Sequence, residues 1–289
     1  MRFAFKTSQQ NTTWADMLAV WREADGIELF ESGWIFDHFY PIFGGETSGP
    51  CLEGWVALTA LAQATTRLRL GTLVTGIHYR HPAVLANMAA TLDIVSGGRL
   101  ELGIGAGWNE QESGDYGIRL GGLTERFDRF DEACQVLLSL LSQRSTDFSG
   151  KYYELAGAYC EPKGPQRPHP PICIGGNGER RTLRTVARYA QHWNFAHGVP
   201  GDAKAEREMV DLFTRKRDVL YGHCQDIGRD PSEITVSAHV FLGPDGPGRV
   251  ADTIASLAER GLDLAIVYVP VPHDPGVLAP LAETLAPLR

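Results

Sequence analysis

The chain has 289 residues, 43% hydrophobic and 21% charged, the balance of an ordinary globular protein with a sizeable core. Its formal net charge of -8 excludes a surface built for nucleic acid or anionic membrane, so an anionic ligand would need a local site. No apolar run approaches the length of a membrane span, and the opening MRFAFKTSQQNTTW has no signal-peptide core. The cysteines Cys51, Cys134, Cys160, Cys173 and Cys224 are scattered and form no CxxC pair. They read as reduced thiols of a cytoplasmic protein without a disulfide framework or a metal cage.

In chain order, RFAFKT (2–7) reads as a buried strand, and Thr13 caps the amphipathic helix WADMLAVWREAD. LFESGWIFDH (29–38) is a second strand, followed by a Gly- and Pro-containing loop and a helix over 53–65. LRLGTLVT (68–75) precedes a helix with Pro82 in its first turn and glycines just past its end. LELGIGAGW (100–108) leads through a polar loop to a long helix over 126–143. Segment 145–171 breaks the rhythm and reads as a hairpin with a proline-stiffened connector. PICIGG and ERRTLRTVARYA resume it, then HWNFAHG with a helix from about 203 to 222. ITVSAHVFLG (234–243), RVADTIASLAERG, LDLAIVYVP and a helix near 276–288 close the chain.

Continuous apolar strands alternating with amphipathic helices predict a parallel sheet buried on both faces. The repeated units favour an α/β fold, a (β/α)8 TIM barrel forming one domain over 1–289 with an insertion at about 145–171. An open doubly wound sheet is the alternative.

Gly103, Gly105 and Gly107 spell G-I-G-A-G, with the third glycine one position early for a dinucleotide turn. A polar segment separates them from the next helix, so they cannot seat a pyrophosphate on its N-terminus. They either let two backbones approach inside a crowded barrel or make room for a planar ligand at the strand end. In ICIGGNGERRTLR (172–184), by contrast, Gly175, Gly176, Asn177 and Gly178 run almost directly into a helix. That is a candidate anion site, with Arg180 or Arg181 adding charge, although such turns also occur without a ligand. Asp37 and His38 close the second strand, at the barrel end that carries chemistry. Asp37 is the neighbouring acid available to orient the imidazole, although adjacent strand residues face opposite ways. No histidine pair has metal-ligand spacing and no G-x-S-x-G elbow is present. By position alone, loops 40–52 and 109–125 are candidate lids.

Taken together, DHF, RLRLGTLVTGIHYRHPAVLANMAATLDIVSGGRLELGIGAGWNEQE and PPICIGGNGERRTLRTVARYAQHWN resemble the luciferase-like monooxygenase superfamily. Within it they are most similar to the branch of oxidoreductases that depend on the deazaflavin coenzyme F420. The resemblance spans most of the chain and implies the same barrel with insertions. It implies a ring at the C-terminal mouth and a strand-three bulge with a non-proline cis peptide at Leu73 and Val74, with Thr75 nearby. It further implies His38 close to the redox centre and Gly107, Trp108 and Asn109 as the wall beside the ring. Gly176, Asn177 and Gly178 would grip the cofactor phosphate. Homodimers are common in the family. One departure stands out: where sugar-phosphate dehydrogenases of this branch carry a glutamate acid, this chain has Trp108, with Glu110 two residues on. The resemblance therefore carries over neither an acid-assisted alcohol oxidation nor a particular substrate.

The implied reaction is hydride transfer between F420 and a small organic substrate, with His38 exchanging the accompanying proton. Trp34, Phe39 and Trp108 would be apolar walls, or plain core. Two alternatives stand beside it: an FMN-dependent monooxygenase using molecular oxygen, and a non-catalytic flavin-binding protein.

Overall fold

The apolar runs close on one another in a computed structural model that describes residues 1–42, 46–197 and 203–289. In chain order the strands are β1 (Arg2–Lys6), β2 (Phe30–Asp37), β3 (Arg69–Gly76), β4 (Leu100–Gly105), β5 (Thr146–Ser149), β6 (Glu154–Ala158), β7 (Ile172–Gly175), β8 (His192–Phe195), β9 (Thr235–Phe241) and β10 (Leu264–Tyr268). All except β5 and β6 form a closed barrel in the order β1-β10-β9-β8-β7-β4-β3-β2. The helices are α1 (Trp14–Gly26), α2 (Gly54–Ala64), α3 (Pro82–Val95), α4 (Glu110–Asp115), α5 (Leu123–Ser142), α6 (Thr182–Tyr189), α7 (Ala203–Asp226), α8 (Gly246–Ala258) and α9 (Leu278–Leu285). The closed parallel barrel, rather than the open sheet, is the fold. No described helix is long and apolar enough to cross a membrane.

Local chemistry sets the element ends. The Thr13 hydroxyl accepts from the Asp16 amide at 3.2 Å and starts α1. Pro82 opens α3, and Gly97 and Gly98 turn the chain out of it at φ +67° and +88°. The insertion is the antiparallel pair β5–β6, and Gln166 in its connector donates to the buried Asp93 of α3 at 2.7 Å. The polar segment 109–125 is not all loop, because α4 lies within it. Asn109 caps α4 by accepting from the Glu112 amide at 3.1 Å. The signal was the capping spacing Asn109-Glu110-Gln111-Glu112 in a helix too short and polar to show periodicity. Part of the other candidate lid, residues 43–45, and Gly198 at the end of the run HWNFAHG lie outside the described residues.

Two apolar layers hold the barrel. Phe3, Phe5, Ile35, Leu70, Leu102 and Ile174 pack with the helices, and Ala4, Trp34, Cys173, Leu264 and Ile266 form a separate small cluster. Trp34 is therefore core. The same barrel also buries a polar chain: His192 Nδ1 lies 3.1 Å from Glu101, and Nε2 lies 2.6 Å from the Ser237 hydroxyl. Arg69 donates to the other Glu101 oxygen at 2.8 Å.

Burial opposes the Glu101 charge, but His192 and Arg69 hold its pKa down at about 2. Burial likewise opposes the His192 cation, yet Cys173 and Glu101 raise the ring to about 10. The depressed carboxyl stabilises the fold fully above its ordinary 4.5 and loses that contribution as pH falls toward about 2. The raised imidazole stabilises fully below its ordinary 6.5 and loses that contribution as pH rises toward about 10. The melting temperature of Glu101→Gln should therefore fall furthest below the parent's at mildly acid pH. That gap should shrink at about pH 3, and a gap that stays constant on acidification would contradict the assignment.

Candidate active site

The C-terminal strand ends enclose a cavity of about 340 Å³, within the size range of small-molecule sites. Lys6 comes from β1, Phe36 from β2 and His38 from the residue just past it, and β3 contributes Leu73, Val74 and Gly76. Gly105, Gly107 and Trp108 line it from β4 and the turn beyond, with Gly175, Gly176 and Thr182 from the β7–α6 turn.

His38 follows β2 directly and turns into this cavity. Its Nδ1 lies 2.7 Å from the Glu112 carboxylate, which is fully buried on α4. The other Glu112 oxygen accepts from the Phe39 amide at 2.6 Å, and the Tyr79 hydroxyl also donates to Glu112. Burial opposes the Glu112 charge, but His38, Tyr79 and the Phe39 amide hold the carboxyl below its ordinary range. Glu112, not Asp37, is thus the acid that orients His38. Asp37 points away, as strand alternation requires, and accepts from Arg80, which also donates to Glu53 at 2.6 Å. Burial pushes the Asp37 carboxyl up in spite of Arg80. Phe39 stacks edge-on against Tyr79 and is absent from the cavity lining.

The peptide bond between Leu73 and Val74 is cis, and the β3–β4 register slips between Gly71 and Thr75. Thr75 anchors this bulge from behind: its hydroxyl accepts from the Trp55 indole at 3.0 Å and donates to Thr72 at 3.1 Å. Both readings of the strand-four glycines have structural counterparts. A Cβ at Gly103 would strike the Thr72 carbonyl, which is backbone approach; Gly105 and Gly107 line the cavity, and a Cβ at Gly107 would strike the His78 ring. A Cβ at Gly105 would sit 2.9 Å from the Val74 side chain. Trp108 is 60% exposed at the rim, its ring 5.6 Å from that of His38. Glu110 is exposed on α4, so it does not restore the missing acid.

At the far end, Gly175, Gly176 and the Thr182 hydroxyl meet near the start of α6; the Gly176 N–H donates to the Asn194 carbonyl at 3.1 Å, which leaves the Thr182 hydroxyl and the positive end of α6 as the groups that favour an anion. A Cβ at Gly178 would come 2.8 Å from the Thr182 hydroxyl, so the turn keeps that donor clear. Asn177 serves the loop rather than the cavity, since its side-chain oxygen accepts from the Ala196 amide at 3.1 Å. Arg181 pairs with Asp128 at 2.7 Å on the exposed surface and adds no charge to the cradle. The donors, the glycine-flanked slot and the apolar Val74 face together fit a phosphate-bearing planar ring.

Sequence reasoning thus brings seven named residues to the cavity: His38, Leu73, Val74, Gly107, Trp108, Gly175 and Gly176. Asp37, Thr75, Asn109, Asn177, Gly178 and Arg181 lie behind or beside it. It missed Glu112, Tyr79, His78 and Lys6. Burial, with Arg129 nearby, lowers His78 to about 4, so this cavity imidazole is neutral at ordinary pH.

The family model described as luciferase-like monooxygenase matches residues 1–246. An F420-dependent glucose-6-phosphate dehydrogenase of Kineococcus radiotolerans is 36% identical over 273 residues, 92% of this chain and 74% of that protein. An F420-dependent hydroxymycolic acid dehydrogenase of Mycobacterium tuberculosis is 31% identical over 231 residues, 77% of this chain and 58% of that protein. A solved F420-dependent secondary alcohol dehydrogenase, in complex with an F420-acetone adduct, shares the fold at TM-score 0.82 and 18% identity, covering 98% of each chain.

Proposed function

Because the chain belongs to the luciferase-like monooxygenase family, we propose that it transfers a hydride between coenzyme F420 and a small organic substrate in the barrel mouth. The observation that carries this reading is the slot itself. The Leu73–Val74 bulge faces glycine-lined strand ends, with the β7–α6 turn at one end and the His38–Glu112 pair beside it. The F420-dependent relatives support the choice of deazaflavin.

When bound, the deazaflavin supplies the hydride donor or acceptor. The chain supplies the remainder. Val74, Gly105 and Gly107 give the ring an apolar berth, and Gly175, Gly176 and Thr182 hold its phosphate. Glu112 fixes the His38 ring through Nδ1, which leaves Nε2 to take up or release the substrate proton. Phe36, Ile42 and Trp108 keep water from the reacting centre.

The test is turnover of F420 absorbance with a panel of alcohols and carbonyl compounds. Oxygen uptake with reduced FMN, run in parallel, would move the reaction to monooxygenation, a reading the family description favours.

The proposal includes a cytoplasmic homodimer. All five cysteines are free. Val56 and Val84 are 72% and 54% exposed, around an apolar groove between α2 and α3, where we place the subunit contact. The pair Val56→Glu and Val84→Glu is expected to give a monomer by light scattering; an unchanged dimer would move the contact elsewhere.

A further inference from the structure

We propose that Lys6 anchors an anion subsite in the mouth, and that the substrate is a small organic anion, a carboxylate on an apolar body. This deepens the reading of the cavity as a cofactor and substrate site and rests on it.

Lys6 ends β1 with its side chain in the cavity, and it is only 5% exposed. Its Nζ donates to the Leu73 carbonyl at 2.9 Å, which uses one of the three donors of an ammonium. Among the described residues no carboxylate pairs with it. The titratable groups near it are Cys173 from β7, His239 from β9 and Tyr268 from β10, with His38, just past β2, lining the same cavity, and none is an acid of the carboxyl type. The Phe36 and Tyr268 rings lie 5.9 Å and 5.1 Å from Nζ. Buried lysines are rare without a counter-charge, because the unpaired cation is poorly solvated. Burial accordingly brings Lys6 down to about 7.

A second observation marks the same part of the mouth as a place for a ligand. His239 lines the same cavity, and its buried Nδ1 has no hydrogen-bond partner among the described residues. Burial, with Lys6 nearby, keeps its pKa well below the ordinary value, and Nε2 donates to the His197 carbonyl at 3.2 Å, so Nδ1 is a neutral acceptor that suits a substrate hydroxyl beside the carboxylate rather than the carboxylate itself. The cofactor berth uses the ends of β3, β4 and β7. Lys6 and His239 thus mark the half of the mouth left for a substrate. A holding role for the Leu73 carbonyl alone would need only a neutral donor. A lysine with two further donors in an apolar setting suits an arriving carboxylate, whose charge is felt strongly there. With a formal charge of -8 on the chain, such attraction has to be local.

The experiment is calorimetric titration of the cofactor-free full chain with benzoate, with benzamide as the uncharged isostere. Benzoate is expected to bind at least about tenfold more tightly, the scale of one charged hydrogen bond. Its affinity should fall as pH rises above about 7, where Lys6 loses its proton. Lys6→Met should erase the preference while keeping the parent's melting temperature and F420 affinity. Lys6→Arg should keep benzoate binding and lose its pH dependence. Equal binding of the two probes, or a preference that survives in Lys6→Met, would overturn the proposal. So would a Lys6→Met protein that loses F420 affinity alone, which would assign the amine to the Leu73 carbonyl. Because no cofactor is present, benzoate binding without F420 binding would leave the subsite standing and remove the deazaflavin reading.

Discussion

Replacing His38 with alanine is expected to lower turnover by about 10²- to 10⁴-fold, the usual contribution of a positioned acid–base group, with little change in F420 affinity. The two effects separate because of where the ring sits. His38 lines the cavity beside Trp108, whereas the cradle at Gly175, Gly176 and Thr182 is built from other elements. Removing the imidazole does not strand its partner, since Glu112 keeps the Tyr79 hydroxyl and the Phe39 amide. The fold should therefore survive and the loss should appear in kcat. Glu112→Gln should show a smaller loss of the same kind, because it loosens the ring's orientation without deleting it. Unchanged kcat in His38→Ala, measured beside an F420 titration, would take His38 out of the reaction.

The second large effect is on stability. Gly103→Ala should lower unfolding free energy by about 3 kcal/mol or more, or prevent folding outright. The added methyl would meet the carbonyl oxygen and carbon of Thr72, both backbone atoms of the neighbouring strand. No rotamer change relieves such a clash. Parting the strands locally would break the 2.8 Å bond that the Thr72 hydroxyl donates to the Gly103 carbonyl. Gly122 is the control: its φ of -71° suits any residue, and a Cβ there meets nothing within 4 Å. Gly122→Ala, which changes only the N-cap residue of α5, should cost about 1 kcal/mol and unfold much nearer the parent in urea, followed by circular dichroism. A Gly103→Ala protein that unfolded at the same midpoint would contradict this packing.

The barrel was legible because its determinants are local. Continuous apolar strands, Thr13 and Pro82 at helix starts and the glycines after α3 each act within a few residues. The cavity was partly legible for the same reason, since strand ends place His38, Gly107 and Gly175 at one mouth. The partners were not. Glu112 meets His38 across 74 positions in the chain, from a helix too short to announce itself. Asp37 was the nearer acid in sequence, yet alternation sends it to Arg80 on the opposite face. Arg181 looked like a phosphate ligand from its place after the glycine turn, but Asp128 of α5 holds it outside. Lys6 left a readable trace. In RFAFKT it shares a face with Ala4, and a charged residue on the inward face of a barrel strand, at its C-terminal end, marks a site.

The central claim is that the Val74 slot and the β7–α6 cradle together hold a deazaflavin. Its most direct measurement is a pair of fluorescence titrations of the purified chain, one with coenzyme F420 and one with FMN. Saturable binding of F420 with no comparable binding of FMN is the predicted result. Tight FMN binding without F420 binding would contradict the account and make the chain a flavin-dependent monooxygenase.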